Sequence, residues 1–403
     1  MAATAMDNVA ALLKEVYENK VVSQLRDNAV GWKRIQNSSE GVTSTAGGKY
    51  VDFPIITGRN QGISFRGERE QLGRPGRARY AEVHIQLKYG YARGSITGPA
   101  MELAEENPQA FASVLDEDQD SMRQQVNREQ SRMFYGDGTG LLTEISADAG
   151  GADLTFTATD PYWLEDTMDI DILELAAGVA LANATDRTIS SVDPDVGTVV
   201  VEAGASGTFD STPGTHGVYR QGNYNKEPQG LKSIVKSSGT IYGVDPTATP
   251  LWKSKQTAVN GALSEAHMIK MCDDINTAGG HVTAIFTTQG VRRSWFNLLS
   301  MQRRFNGSKS FEGGLVGLVF NYGNKEVPVV SDPDLRDTGR MYFLDEKNFK
   351  FYHTGDWKYM DKDGSMFKWV DDFDEWQYLM KRYYELGCKR RNTNGVLTGV
   401  EES

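Results

Sequence analysis

The amino-acid sequence predicts an α+β protein of two to three folding units, and three observations carry that reading. Near residue 49 the hydrophobic period drops from helical spacing to two; Asn107 and Pro108 open one very long helix; and from residue 264 a helix, the strand HVTAIFTT and a second helix follow one another. With 403 residues, 39% of them hydrophobic, the chain can build more than one core and is not disordered as a whole.

Taken in order, residues 1–48 form an N-terminal arm. Val9, Leu12, Leu13, Val16 and Tyr17 recur at helical spacing within 6–36, and the Gly/Ser/Thr-rich NSSEGVTSTAGG follows. Residues 49–97 read as one long β-hairpin, an extended loop in which Val83, Ile85, Leu87, Tyr89 and Tyr91 alternate with Glu82, His84, Gln86 and Lys88. Its middle holds Arg59, Arg66, Arg69, Arg74, Arg77 and Arg79 against Glu68 and Glu70, a local charge of +4 in a chain whose net charge is −11. Such a segment calls for an acidic neighbour. The segments Asp116, Glu117, Asp118, Asp120 and Asp371, Asp372, Asp374, Glu375 on a second copy are the candidate acceptors.

Residues 98–149 hold the long helix, from Pro108 to about Tyr135, which at 1.5 Å per residue is about 42 Å long. Its acids lie in the first half and Arg123, Arg128 and Arg132 in the second, as the helix dipole favours. The glycines of GDGTG, Gly136, Gly138 and Gly140, serve as its cap and hinge, with Gly136 expected in the left-handed region, so that Gly136→Val would cost about 1–2 kcal/mol. Residues 150–340 are expected to form an α/β domain: a helix over 166–182, a β insertion over 185–240, a helix over 264–278, the buried strand, and a helix containing Trp295 and Phe296. Residues 341–403, with the aromatic stretches MYFLDEKNFKFYH, MFKWV and EWQYLMKRYYELGCKR, must return to pair with earlier strands.

Composition and motifs disfavour most chemistry. No run approaches the ~20 apolar residues of a membrane span, and acids stand where a signal peptide would be basic and then apolar, so no membrane association and a cytosolic origin are expected. Cys272 and Cys388 cannot form a disulfide framework, the five histidines show no HExxH spacing, and no cofactor or metal is expected. GDGTG follows a helix, whereas a phosphate-binding glycine loop follows a strand and opens a helix. The run Asp361, Asp363, Gly364 lacks the acidic ligand that would end a calcium loop, and 371–375 reads as a charged strand end in preference to a pair of catalytic carboxylates. No GxSxG marks a nucleophile, so no catalytic residue is assigned.

The succession of arm, charged hairpin, long helix ending in MFYGDGTG, α/β domain with a β insertion, and strand-rich return ending in NTNGVLTGV resembles the major capsid protein of tailed bacteriophages, the Hong Kong 97 fold. The helix running into Tyr135–Gly140 and the order of elements over 264–299 are its most specific signals. The resemblance implies an N-terminal arm, an extended loop, a spine helix in a peripheral domain, an axial domain over 150–340 and a return to the peripheral domain. It implies a non-enzymatic virion protein, made in the bacterial host cytoplasm, whose copies form the pentamers and hexamers of an icosahedral shell around double-stranded DNA held without sequence specificity. Portal and scaffolding proteins, and decoration proteins in some members, are the further partners. Some members cross-link a loop lysine to an asparagine; the stretch 59–79 has no lysine, Lys49 and Lys88 lying on the flanking strands, so that chemistry is not expected. The alternative on the same fold is an encapsulin-like cellular compartment with an enzyme as cargo; outside it stand a hydrolytic or nucleotide-using enzyme and an adhesion module built on 185–240.

Overall fold

The computed structural model describes residues 30–35, 37–38, 50–99, 108–148, 154–203, 207–302, 308–310, 316–323, 325–361, 367–370 and 373–403. The arm expected over 6–36 falls outside these residues except for its last turn, Val30–Lys33. Two compact units share the chain. One is drawn from Tyr89–Glu227 and Asp356–Arg382, the other from Asn28–Lys88, Pro228–Gly355 and Tyr383–Ser403. The span 150–340, read from sequence as one domain, is thus divided after Glu227. The physical reason is two separate cores, one centred on Ile145, Ile172 and Val199, the other on Met268, Phe343 and Leu397.

In the first unit the long helix runs Pro108–Tyr135, at the expected bounds. After it comes a closed barrel of six antiparallel strands, Leu141–Asp148, Thr155–Ala158, Asp169–Glu174, Arg187–Val192, Thr198–Val201 and His216–Arg220. Two expectations fail here. The helix over 166–182 does not form, because DIDILE alternates with period two, placing Ile170 and Ile172 in the core and Asp169 and Asp171 outside it. The β insertion does not begin at 185. Of the three later strands only Arg187–Val192 and Thr198–Val201 pair with each other, while His216–Arg220 pairs on both sides with the earlier strands Leu141–Asp148 and Asp169–Glu174, so the strands from Leu141 onward are needed to close the barrel. The rest of the unit is the aromatic return. The first part of Phe373–Cys388 pairs antiparallel with Lys358–Tyr359 and Phe367–Val370, and also pairs with Lys88–Thr97, so the return does meet an earlier strand. Gly94 is required there, since a Cβ would lie 2.2 Å from the Tyr378 ring.

The second unit is built on a seven-stranded mixed sheet. Its strands run, in order across the sheet, Lys255–Gly261, Gly395–Val400, Met341–Leu344, Ala284–Thr287, Lys325–Ser331, Val316–Tyr322 and Ser308–Ser310. All four residues of Ala284–Thr287 are buried, as an interior strand flanked on both faces requires. Helix Glu265–Thr277, capped by the Ser264 hydroxyl, presents Met268, Met271, Cys272 and Ile275 to the same core as Val291 and Trp295 of helix Gln289–Gln302. The hairpin also belongs here. Tyr50–Gly58 and Arg79–Gln86 pair antiparallel from Tyr50↔Gln86 to Ile55↔Ala81 and beyond. The alternation holds for Val83, Ile85 and Leu87, all buried, and then changes phase: Tyr89 and Tyr91 are exposed. The strand breaks at Leu87, and the next one, Lys88–Thr97, joins a different sheet.

Candidate assembly surfaces

Between the hairpin strands, residues 59–78 form no ladder but run as two close arms. Where the arms meet, a Cβ on Gly76 would lie 2.5 Å from the Gly62 nitrogen, and one on Gly73 would lie 2.5 Å from Ser64 Oγ. At the far end the Glu70 carboxylate accepts from the Gly67 N–H at 3.0 Å and the Glu70 N–H donates to the Gly67 carbonyl at 3.2 Å, with Arg69 at φ 69°. Arg59, Arg66, Arg69, Arg74, Arg77 and Arg79 are all exposed, and none forms an ion pair with an acid among the described residues. Apolar groups are exposed beside them: Ile63, Leu72, and Phe65 at 96%. A surface of this kind, cationic with solvated aromatic and aliphatic side chains, is suited to contact.

The acidic candidates are more divided than their spacing suggested. Asp118 accepts from the Tyr378 hydroxyl at 2.6 Å, and burial together with that carboxylate holds the Tyr378 phenol well above its ordinary range. Asp120 pairs with Arg123 at 2.8 Å, Glu375 accepts from the Gln377 amide at 2.5 Å, and Asp374 is exposed. The side chains of Asp116 and Glu117, and all of Asp371 and Asp372, lie outside the described residues. Two of the eight, Asp120 and Asp374, therefore face solvent among those described, the first already beside an arginine.

The helix terminus also differs from expectation. Gly136 is not in the left-handed region; its N–H donates to the Arg132 carbonyl at 3.0 Å and the Met133 carbonyl at 3.2 Å. The reversal is made two and four residues later, by Gly138 at φ 81° and Gly140 at φ 87°, while Asp137 accepts from the Thr139 N–H at 3.0 Å. Asp137 can hold the turn through its side chain, so the strained positions fall after it.

A buried ionic network joins helix to barrel, and sequence reasoning missed it. Arg132 pairs with Glu129 at 2.9 Å and Glu227 at 2.5 Å, and Arg220 of the last barrel strand pairs with Glu129 at 2.7 Å. Burial alone would raise the Glu129 carboxyl, but Arg132 and Arg220 hold it down at about 2. Arg128 lies 5.4 Å from the centres of both the Tyr162 and Trp163 rings and pairs with Glu165. The Glu129–Arg132 spacing was visible along the helix; Glu227, 95 residues away, was not. Also unforeseen is Glu385, fully buried in the second unit, whose carboxyl burial pushes up to about 8 against the N–H groups of Gln229 and Leu386. Burial likewise pushes the Cys272 and Cys388 thiols up to about 12. Among the described residues no group of three or more His, Cys, Asp or Glu is placed to hold a metal ion, and no helix is long and apolar enough to cross a membrane.

No family model matches the sequence, and no curated protein matches it. Solved structures do. The cyanophage A-1(L) capsid asymmetric unit is 13% identical, with 98% of each chain covered and a TM-score of 0.55. A Mycobacterium phage Bobi structure is 10% identical over all of both chains, with a TM-score of 0.47. The holo-SrpI encapsulin complex of Synechococcus elongatus PCC 7942 is 8% identical, covering 100% of this chain and 97% of that one, with a TM-score of 0.44. The first likeness extends over the long helix, the barrel and the mixed sheet together, so over nearly its whole length this chain has the fold of a tailed-phage capsid subunit, the Hong Kong 97 fold.

Proposed function

We propose that the chain is a major capsid protein, whose copies assemble as pentamers and hexamers into an icosahedral shell around double-stranded DNA. The observation that carries this reading is the shared fold with a phage capsid subunit across 98% of both chains. The hairpin supports it independently. Residues 59–79 leave Phe65 and six arginines in solvent, a conformation that gains its stabilisation from a neighbouring molecule and not from its own packing. On this reading the loop of one copy lies on the acidic surface of the next, Asp120 and Asp374 contributing to it. Portal and scaffolding proteins complete the particle, decoration proteins are further candidate partners, the virion is its site, and assembly takes place in the host cytoplasm.

Purification at near-physiological salt followed by negative-stain electron microscopy tests the proposal. Closed shells, or rings of five and six, are the expected result, with nuclease-resistant DNA inside; uniform monomers both with and without the phage's scaffolding protein would reject it. An enzyme cargo in place of DNA would favour the compartment alternative. Replacing Arg69, Arg74 and Arg77 together by Glu is expected to leave the subunit's melting temperature unchanged and to abolish or strongly reduce shell yield, because the charge match between copies is reversed. Unchanged yield would remove the loop from the assembly contact.

A further inference from the structure

One carboxyl in the second unit is buried without a counter-ion. Glu385 stands near the end of strand Phe373–Cys388, opposite Tyr352, is 2% exposed, and pairs with no cation among the described residues. A single oxygen, Oε1, accepts from both the Gln229 N–H at 2.6 Å and the Leu386 N–H at 3.1 Å. Its charged and titratable neighbours come from each element around it. Lys88, half-buried, acts on it from the strand that follows the hairpin, and Tyr242 lies close enough to feel Glu385 together with Tyr352, Cys388 and Arg391.

Gln229 begins a strap that joins this carboxyl to the root of the extended loop. At one end of residues 229–244 the Gln229 N–H rests on Glu385; towards the other, the Tyr242 hydroxyl donates to the Leu386 carbonyl, and the Tyr242 carbonyl accepts from the His84 N–H of the hairpin at 2.9 Å. Between them Arg391 donates to the Ile234 and Lys236 carbonyls, each at 2.8 Å. The hairpin itself comes down beside them, since a Cβ on Gly387 would lie 2.6 Å from Ile85 Cδ1. Glu385, Leu386 and Gly387 thus meet strap and hairpin within three residues. Lys236 and residues 238–240 are exposed and Gln229 is half-buried, so a small outward movement of the strap brings water to the carboxyl.

We infer that the strap over 229–244 is a proton-governed latch on the root of the extended loop, closed on the neutral Glu385 carboxyl and loosened when that group is charged. The proton sits on Oε2, because Oε1 already accepts two N–H groups. A charge here would stand in a poorly polarisable interior with no ion in contact. The two N–H donors and Lys88 favour the charged form, but burial outweighs them and holds the carboxyl at about 8 against 4.5 for a free glutamate. The closed form therefore binds the proton more tightly than the open one. The latch is firmest below about pH 4.5, weakens by up to about tenfold per pH unit as the pH rises to about 8, and weakens no further once both forms are charged. Burial pushes the Tyr242 phenol well up and the Cys388 thiol to about 12, so neither titrates within this window. The strap belongs to the folded chain itself, and the latch is independent of the capsid reading.

Amide hydrogen exchange of the purified full chain, read by mass spectrometry from about pH 5 to about pH 9 and corrected for the chemical exchange rate at each pH, tests the latch. Peptides carrying Gln229 and His84 are expected to lose protection by at least about tenfold up to about pH 8 and to change little beyond it. Glu385→Gln keeps an acceptor oxygen and never becomes charged, so its strap should hold the same protection throughout. Asp52, His84 and Lys88 are common to both chains, and their effects cancel in the comparison. Equal pH dependence in the two chains would overturn the latch. Where the variant does not fold, the wild type decides alone. Loss confined to the strap and the loop root supports the latch; protection that does not vary with pH, or a loss shared equally by the central strand Ala284–Thr287, overturns it.

Discussion

The extended loop and the barrel are both β-rich excursions, yet they are stabilised in opposite ways. The loop over 59–78 has no core, brings its two arms together at glycines, carries +4 with Arg79 included, and exposes Phe65. The barrel closes on itself, buries Ile145, Phe156, Ile170, Ile172, Val199 and Val218, and carries −12. A chain segment is independent of its neighbours when it can turn its apolar residues inward, and it awaits a partner when it cannot.

The sharpest way to break this comparison is to truncate one aromatic in each region. Phe156→Ala in the barrel core is expected to cost about 3–5 kcal/mol, a fall in melting temperature measurable by calorimetry. Phe65→Ala in the loop should leave the isolated subunit's melting temperature unchanged and lower shell yield instead. Equal thermal effects would mean that the loop packs on its own subunit.

The next effect concerns how the barrel is held to the long helix. Glu129, held at about 2 in the folded chain against 4.5 for a free glutamate, binds its proton more weakly when folded, so its contribution is present above about pH 4.5 and is lost as the pH falls towards 2. The contribution is roughly 3 kcal/mol. Glu129→Gln should therefore melt well below the wild type at pH 7, and the gap should narrow steadily on acidification below about pH 4.5; a gap as large at pH 2 as at pH 7 would place the stabilisation outside this ion network.

The smallest expected effect separates two glycines at the start of the barrel. Gly140→Ala forces φ 87° on an alanine and brings its Cβ to 3.1 Å from the Asn223 carbonyl, costing about 1–2 kcal/mol. Gly136→Ala meets nothing nearer than 3.4 Å and has no positive φ, so a change within about 0.5 kcal/mol is expected. Equal costs in urea titrations would return the turn to Gly136.

Sequence reasoning succeeded where the signal is local. Pro108 and Tyr135 bound the helix because Asn107–Pro108 and the glycine-rich stop act within a turn of it. Ala284–Thr287 and Glu265–Thr277 were legible from uninterrupted and helical apolar spacing respectively. The loop arginines, expected to meet an acidic neighbour, are exposed. The segment 166–182 failed because Met168, Ile172 and Leu175 mimic helical spacing while DIDILE also alternates with period two, and short apolar runs satisfy both patterns. The concentration of acid between Leu141 and Arg220 was countable from the residues alone; it was overlooked because net charge was taken over the whole chain and the +4 loop alone.

By itself, then, the sequence determined the order of elements, the length of the long helix, the cationic loop and the acidity of the segment after it, all properties of neighbouring residues. Only the tertiary structure decided that strands as far apart as Leu141–Asp148 and His216–Arg220 close one barrel, that Glu227 meets Arg132, that Gly138 and Gly140 make the turn, and that Asp118 answers Tyr378 within its own chain. Those outcomes depend on which distant groups can be buried together with their hydrogen bonds satisfied, and no local pattern along the chain encodes that choice.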